Sequence, residues 1–305
     1  MTTAAIEFKE VTKVYRRRLA GQEVPALTHV SFEVGAGEVC AFLGPNGAGK
    51  TTLFRTIAGI LEPYSGEVRF DGEDLTRSKE SRKRINYLSH YNALPEEMTV
   101  RSALEFYARI EGGDVDAVIS LLSIENLKDK KISDLSQGQK KRISIAKVFL
   151  NERDLYLLDE PTSNLDPEVS KEVRDILLRL SKDRIVLYSS HNLYEANDVG
   201  THLILVRDGT IGYFGKISDL ESKEYRVGIK TTTDISKMID AKLGDGGYYV
   251  LNVTTPQEAG LALKKLVENG VLVTEMRQLD NPLQELFEDN FSRRHPAKTE
   301  PRGES

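Results

Sequence analysis

The stretch Leu43-Gly44-Pro45-Asn46-Gly47-Ala48-Gly49-Lys50-Thr51-Thr52 combines residue types and spacing suited to gripping a polyphosphate. It fits G-x-x-x-x-G-K-[ST], a phosphate-binding loop. A polyphosphate must be met by several backbone N–H groups at once, and residues without a side chain let the main chain come that close. Gly44, Gly47 and Gly49 meet that need, with Pro45, Asn46, Ala48 and Thr52 completing the loop and the first turn beyond it. Lys50 supplies a point charge that can reach β- and γ-phosphates, and the Thr51 hydroxyl can sit on a Mg²⁺ ion held between them. A glycine-rich turn matching by accident is about a one-in-a-hundred event for a chain of this length.

Two further polar groups close apolar runs. Leu155-Tyr156-Leu157-Leu158 ends abruptly in Asp159-Glu160. Two carboxylates at the mouth of a buried strand need a cation or a polar partner, which a bound Mg²⁺ would supply. In the usual mechanism the first acid holds the metal through water, and the second polarises the water that attacks the γ-phosphate. The structural alternative is an acidic pair capping a helix ahead of Pro161. Ile185-Val186-Leu187-Tyr188 likewise runs into Ser189-Ser190-His191. Strand C-termini are where open α/β sheets bind ligands, so His191 is expected to touch the γ-phosphate or the attacking water.

The elements that must position these groups follow from hydrophobic pattern. Val39 to Leu43 is a continuous apolar run suited to a buried strand, and Thr51 to Ala58 reads as a helix closed by Gly59, which places the loop at a helix N-terminus. Ile6 to Val14 and Val30 to Val34 alternate as half-buried strands and are expected to be antiparallel edge strands. Tyr15 closes the first, and its ring can serve as filler or stack on a base. Gly66 to Phe70 with Asp71-Gly72 reads as a strand and hairpin turn. From Ser78 the chain turns polar and basic around Ile85 to Leu88. Helices are expected from Thr99 and over Val115 to Leu122. A long amphipathic helix starts at Asp134-Leu135-Ser136-Gln137-Gly138-Gln139, with Ile143, Ala146, Lys147 and Leu150 on one face. Val169 to Leu180 is another helix. Toward the C-terminus, strands at 225–229, 248–253 and 271–276 and helices at 256–268 and 283–291 describe a small α+β domain, followed by a charged, proline-containing tail expected to be disordered.

A chain of 305 residues can bury a substantial core and divide into two domains. Its 42 basic and 47 acidic side chains give a net charge of -5, against broad attraction to nucleic acid or anionic lipid. No apolar stretch reaches the length of a membrane span and residues 1–20 lack a signal-peptide core, so a cytosolic location is expected. Cys40 is the single cysteine; it excludes an internal disulfide and reads as a small core residue.

Taken together, the phosphate loop, Leu135-Ser136-Gln137-Gly138-Gln139, Asp159-Glu160, Ser163-Asn164-Leu165-Asp166 and His191, in that order, resemble the nucleotide-binding subunit of an ATP-binding cassette (ABC) transporter over about residues 4–220. The signature-like Leu135 to Gln139 separates this family from other phosphate-loop ATPases. Read physically, Ser136 offers a hydroxyl and Gly138 bare backbone at a helix start, an arrangement suited to an anion. Lys140-Lys141-Arg142 in that first turn would oppose the helix dipole unless negative charge lay nearby. The resemblance implies that the signature residues Ser136, Gln137, Gly138 and Gln139 face ATP held by a second subunit in a head-to-tail dimer, with Asp166 communicating across the interface. It also implies that Tyr15 stacks on adenine.

Where the family carries a glutamine that touches metal or water and senses the membrane partner, this chain has His90, and Asn92 is an alternative source of the amide. Imidazole titrates near neutral pH and an amide does not, so an altered pH dependence of hydrolysis is expected. Gln137 replaces the usual glycine without removing Ser136 or Gly138.

The expected architecture is an α/β phosphate-loop ABC ATPase core with an antiparallel β subdomain over residues 1–222 and a helical insert at about 78–140. A small α+β domain at 223–292, similar in placement to the extensions of type 2 exporters, and a tail at 293–305 complete it. The expected function is ATP hydrolysis, with Mg²⁺, that powers transport through a separately encoded membrane permease, most simply as a homodimer on the cytosolic face and in the export direction. A soluble ABC ATPase acting on ribosomes or DNA is the alternative. The single phosphate loop and the absence of an extended heptad run count against it, and no nucleic-acid partner is expected. A sensing module that binds without hydrolysing is disfavoured by Glu160 and His191, and a GTPase by the absence of an N-K-x-D stretch.

Overall fold

The computed structural model of the chain describes residues 5–16, 23–91, 93–220, 225–279 and 286–287. These form two compact units, Met1–Ile217 and Ser218–Ser305. Among the described residues no helix is long and apolar enough to cross a membrane.

The first unit opens with an antiparallel sheet. β1 (Ala5–Arg16) pairs with β2 (Glu23–Gly35) on one edge, and β3 (Val39–Leu43) and α1 (Lys50–Ile57) come next in the chain. β4 (Ser65–Phe70) pairs with the other edge of β1, and β5 (Glu73–Asp74) completes the order β2-β1-β4-β5. β1 is therefore an interior strand, not the edge strand expected. Alternation of Ile6, Phe8 and Val11 with polar neighbours reports one solvated face, and a strand paired on both sides can still have one.

The second sheet holds six strands. After α2 (Lys79–Lys83) come β6 (Ile85–Leu88), α3 (Val100–Glu111), α4 (Val115–Leu121), α5 (Gln137–Val148) and β7 (Leu155–Asp159). They are followed by α6 (Pro167–Leu180), β8 (Ile185–Ser190), α7 (Leu193–Val199), β9 (His202–Arg207) and β10 (Thr210–Lys216). The order is β10-β9-β3-β8-β7-β6, parallel except for the β9–β10 hairpin. β3, β7 and β8 are buried at every residue, as aliphatic strands covered on both faces must be. β6 pairs with β7 residue for residue from Ile85↔Leu155 to Leu88↔Leu158, so this stretch belongs to the sheet and not to the helical insert. The helices expected there are α3 and α4, capped by Thr99 and Asp114, and the N-terminal half of α5.

Register fixes the working edge. Leu43 lies opposite Ser190 and Asp159 opposite Ser189, so the chain leaves β3, β7 and β8 side by side. A chain of rings ties that edge to the antiparallel sheet: Phe8 stacks on Phe32 at 4.8 Å, and Phe42 meets Phe32 at 5.5 Å and Phe54 at 5.2 Å, edge to face. Cys40 is fully buried in this core.

The second unit is α+β: β11 (Tyr225–Thr231), β12 (Ala241–Leu243), β13 (Tyr249–Val253), α8 (Pro256–Glu268) and β14 (Val273–Gln278). Its antiparallel sheet has the order β12-β13-β11-β14. Val227, Ile229, Leu251, Val253 and Leu266 from strands and helix share its core. β12 went unread in the sequence. The helix expected over 283–291 and the tail beyond it lie outside the described residues, apart from helical Leu286 and Phe287.

Candidate functional site

The phosphate loop is built by close backbone approach. A Cβ on Gly44 would lie 2.3 Å from the Val206 carbonyl oxygen, and one on Gly49 would lie 2.7 Å from that of Ala26; Gly49 also has φ +112°. Either substitution would push the loop out of place. Lys50 opens α1 and is 6% exposed. Its ammonium donates to the carbonyl oxygens of Gly44 at 2.5 Å and Pro45 at 3.2 Å, both within its own loop. Burial lowers the Lys50 pKa, and the charges of Glu160 and Asp159 oppose that.

Asp159 closes β7 and is 1% exposed. Thr51 Oγ1 donates to one of its carboxylate oxygens at 2.8 Å and Ser189 Oγ to the other at 2.6 Å. A buried and a partly buried hydroxyl thus satisfy a buried carboxylate. This hydroxyl and carboxylate are hard oxygen donors of the kind Mg²⁺ takes, so the pair fits that ion. Among the described residues no three His, Cys, Asp or Glu side chains gather as a metal cage. Such a donor set suits a cation that keeps its waters and arrives on substrate phosphates.

Glu160 adopts φ +49°, an uncommon conformation for a residue with a side chain. Its N–H donates to Ser189 Oγ at 2.9 Å, and its carbonyl accepts from the Ser163 hydroxyl at 2.9 Å. The turn aims its carboxylate between two imidazoles. His90 Nδ1 lies 3.6 Å from one oxygen and His191 Nδ1 lies 4.0 Å from the other. Both gaps exceed a direct hydrogen bond and are of the size a water or substrate oxygen bridges. Glu160 and His90 line a cavity of about 330 Å³ together with Ala26 and the loop from Asn46 to Thr52. Tyr15 stands half-exposed beside it, its hydroxyl 3.4 Å from Thr52 Oγ1. Asn92 lies outside the described residues.

The signature residues are placed elsewhere. Ser136 caps α5 in a capping box: its hydroxyl accepts from the Gln139 N–H at 3.2 Å, and the Gln139 side chain accepts from the Ser136 N–H at 3.0 Å. Gln139, expected to face a nucleotide, here has a capping task readable from S-x-x-Q. Gly138 also has a packing role, since a Cβ on it would lie 2.8 Å from the Asn164 carbonyl oxygen. Gln137 lines a separate cavity of about 530 Å³ with His90, Ser163 and Asn164. No described signature residue lines the phosphate-loop cavity. Asp166, exposed at the start of α6, makes no side-chain cap bond.

The basic run at the start of α5 finds its acids. Lys140 pairs with Glu96 and Arg142 with Glu172, both at 2.8 Å. Lys141 instead turns inward, 3% exposed, with Nζ 3.5 Å from the Asp159 carbonyl oxygen. Burial lowers its pKa to about 8, against the opposing charges of Asp159 and Glu160. Three successive cations in the sequence carry no sign of which one is buried.

A glycine-built loop entering a helix, beside an acidic strand end in a parallel sheet, defines the class as a phosphate-loop ATPase. The ABC transporter family model matches residues 27–163. The chain is 34% identical over 206 residues to an uncharacterized ABC transporter ATP-binding protein, YxlF, of Bacillus subtilis (strain 168), covering 65% of this chain and 68% of that one. To the Nod factor export ATP-binding protein I of Burkholderia orbicola (strain AU 1054) it is 31% identical, covering 68% and 70%. Among solved structures, an ATP-binding subunit of an ABC transporter superposes with TM-score 0.63 at 27% identity, covering 70% of this chain and 91% of that one. The chain belongs to the ABC transporter ATP-binding proteins, and is an ATP-hydrolysing subunit of a transporter.

Proposed function

We propose that this subunit works as the cytosolic motor of an exporter, two copies closing on ATP beneath a separately encoded membrane permease. The observation that carries the catalytic part is Glu160, turned by its left-handed backbone to face His90 and His191 at the edge of the phosphate-loop cavity. In this reading Lys50 exchanges its loop carbonyls for β- and γ-phosphate oxygens, and Tyr15 stacks on adenine. Thr51 and Asp159 would hold Mg²⁺, which supplies charge neutralisation between those phosphates. A water held against Glu160 attacks the γ-phosphorus. Its new P–O bond forms as the bond to the β–γ bridging oxygen breaks, the water proton passes to Glu160, and ADP departs with the electron pair. His191 steadies the γ-phosphate, and His90 takes the position the family gives to glutamine.

The dimer follows from the placement of Ser136 and Gly138 away from their own chain's loop, which leaves them to meet ATP held by the second copy, with Asp166 beside that contact. Docking on a permease is supported by the insert: Tyr107 donates to the Ala93 carbonyl at 3.2 Å, linking α3 to the segment after His90. Tyr91, Phe106 and Ile110 expose large apolar surfaces nearby in sequence. Export, rather than import, rests on the similarity to a Nod factor export protein and on the α+β extension. The test is Glu160→Gln: turnover should collapse while ATP is retained and a dimer accumulates in sedimentation with ATP and Mg²⁺. Unchanged turnover removes Glu160 from its role, and a monomer at saturating ATP removes the dimer.

A further inference from the structure

The backbone around Glu160 is held from three sides, and one of the holds comes from the signature helix. A non-glycine residue in the left-handed region is strained and persists only where its surroundings fix it. Ser189 takes the Glu160 N–H, Ser163 bonds the Glu160 carbonyl, and Lys141 reaches the carbonyl just before it, that of Asp159. Asp159↔Ser189 is the last pair of the β7–β8 ladder, so at this point the strand gives way to the turn. The Lys141 ammonium stands where the ladder stops. Burying a lysine is unfavourable, and this one is buried against the turn that aims the carboxylate.

Lys141 lies one turn beyond Ser136 and Gly138 on the same helix. That helix touches the segment after Glu160 a second time, where Gly138 leaves no room for a Cβ beside the Asn164 carbonyl. Asn164 is itself at φ +62°. The signature end of α5 is thus joined to the Glu160 turn before it by Lys141 and after it by Gly138. The signature end of α5 therefore meets the main chain of this segment at two points, one on each side of Glu160.

We propose that Lys141 is a positioning residue through which the signature helix sets the aim of the Glu160 carboxylate, so that closure of α5 on a partner's ATP is felt at the attacking water. This rests on the reading of Glu160 as the water-polarising group. The basic neighbours Lys140 and Arg142 are engaged differently, pairing with the side chains of Glu96 and Glu172 and not with the turn's backbone.

The experiment compares steady-state ATP hydrolysis and equilibrium ATP binding of the full chain with those of Lys141→Met, Lys141→Arg and Lys141→Leu, with Glu160→Gln in parallel. Misplacing a catalytic group by about 1 Å can slow a reaction about a hundredfold. Lys141→Met should therefore lose about tenfold to a hundredfold in kcat, with ATP affinity within about twofold and a cooperative thermal melt. Lys141→Arg, which keeps a cation and donors, should recover most of the rate. Adding Lys141→Met to Glu160→Gln should slow turnover no further. Wild-type kcat in Lys141→Met, or a loss matched by lost ATP affinity, or failure of Arg to rescue, overturns the proposal. Should Lys141→Met not fold, Lys141→Leu, which also lacks a donor, carries the same comparison, and a wild-type kcat there overturns it equally. A fully active Glu160→Gln would instead sink the underlying reading of Glu160, whatever the Lys141 variants do.

Discussion

The start of α1 and the start of α5 each bury a lysine against the same two acids, and the two lysines are built for different work. Lys50 is 6% exposed and Lys141 is 3% exposed; burial lowers both pKa values, and Asp159 and Glu160 oppose it in both. Their electrostatic surroundings are therefore alike. Their hydrogen bonding is not. Lys50 folds onto two carbonyls of a glycine-built loop that borders an open cavity, so an incoming phosphate can replace both partners. Lys141 has a single long contact with the main chain at a strand end. A buried cation becomes a ligand grip or a structural strut according to whether its partner can be exchanged, and charge alone does not distinguish the two.

Removing the shared target is the strongest way to probe that contrast. Glu160→Gln should lower turnover by about 10²–10⁴-fold, the range for a lost general base, while a titration calorimeter still registers ATP binding. Next in size, Lys50→Ala should weaken ATP binding by about tenfold to a hundredfold, the worth of a charge-assisted bond of about 1.5–3 kcal/mol. If Lys50→Ala binds ATP normally, or Lys141→Met binds it as poorly as Lys50→Ala, the division between grip and strut fails.

Stability should divide the two regions differently. The Lys141 pKa is lowered in the folded chain to about 8 from 10.5, so the unfolded chain binds the extra proton between those values. Stability of the native protein from this group consequently rises with pH through that window, and below it the buried charge is a burden. Lys141→Met should melt on the order of a few degrees higher than wild type at pH 7, and the gap should close as pH rises toward 10.5. A constant gap across that range would show that the Lys141 charge is not what burdens the fold. The smallest effect is at the rim: His90→Gln should alter the pH–rate profile, and an unchanged profile makes the imidazole incidental.

These two regions also differ in how far the amino-acid sequence disclosed them. The phosphate loop is legible because its glycines, lysine and threonine are contiguous and each is required by local geometry. The strands bearing Asp159 and His191 are legible because both of their faces are covered, which leaves uninterrupted aliphatic runs. Ile85 to Leu88 reads as part of the insert because the chain around it is polar and basic. Only pairing with β7, some seventy positions along the chain, reveals it as a sheet strand. The interior position of β1 was hidden for a related reason, since alternation encodes faces and is silent about edges. S-x-x-Q marks Gln139 as a capping residue, whereas the signature resemblance implies a ligand there. Lys141 had no local mark at all: its burial depends on where α5 crosses the end of β7, a tertiary fact.

The proposed motor requires that the loop and Lys50 grip a triphosphate whose terminal phosphorus meets a water aimed by Glu160. A crystal structure of the Glu160→Gln chain grown with ATP and Mg²⁺ tests it most directly. The γ-phosphate is expected between Lys50 and His191, with Ser136 and Gly138 of a second copy closing over it. A cavity left without nucleotide, or a triphosphate bound away from Gly44 to Thr52, would contradict it.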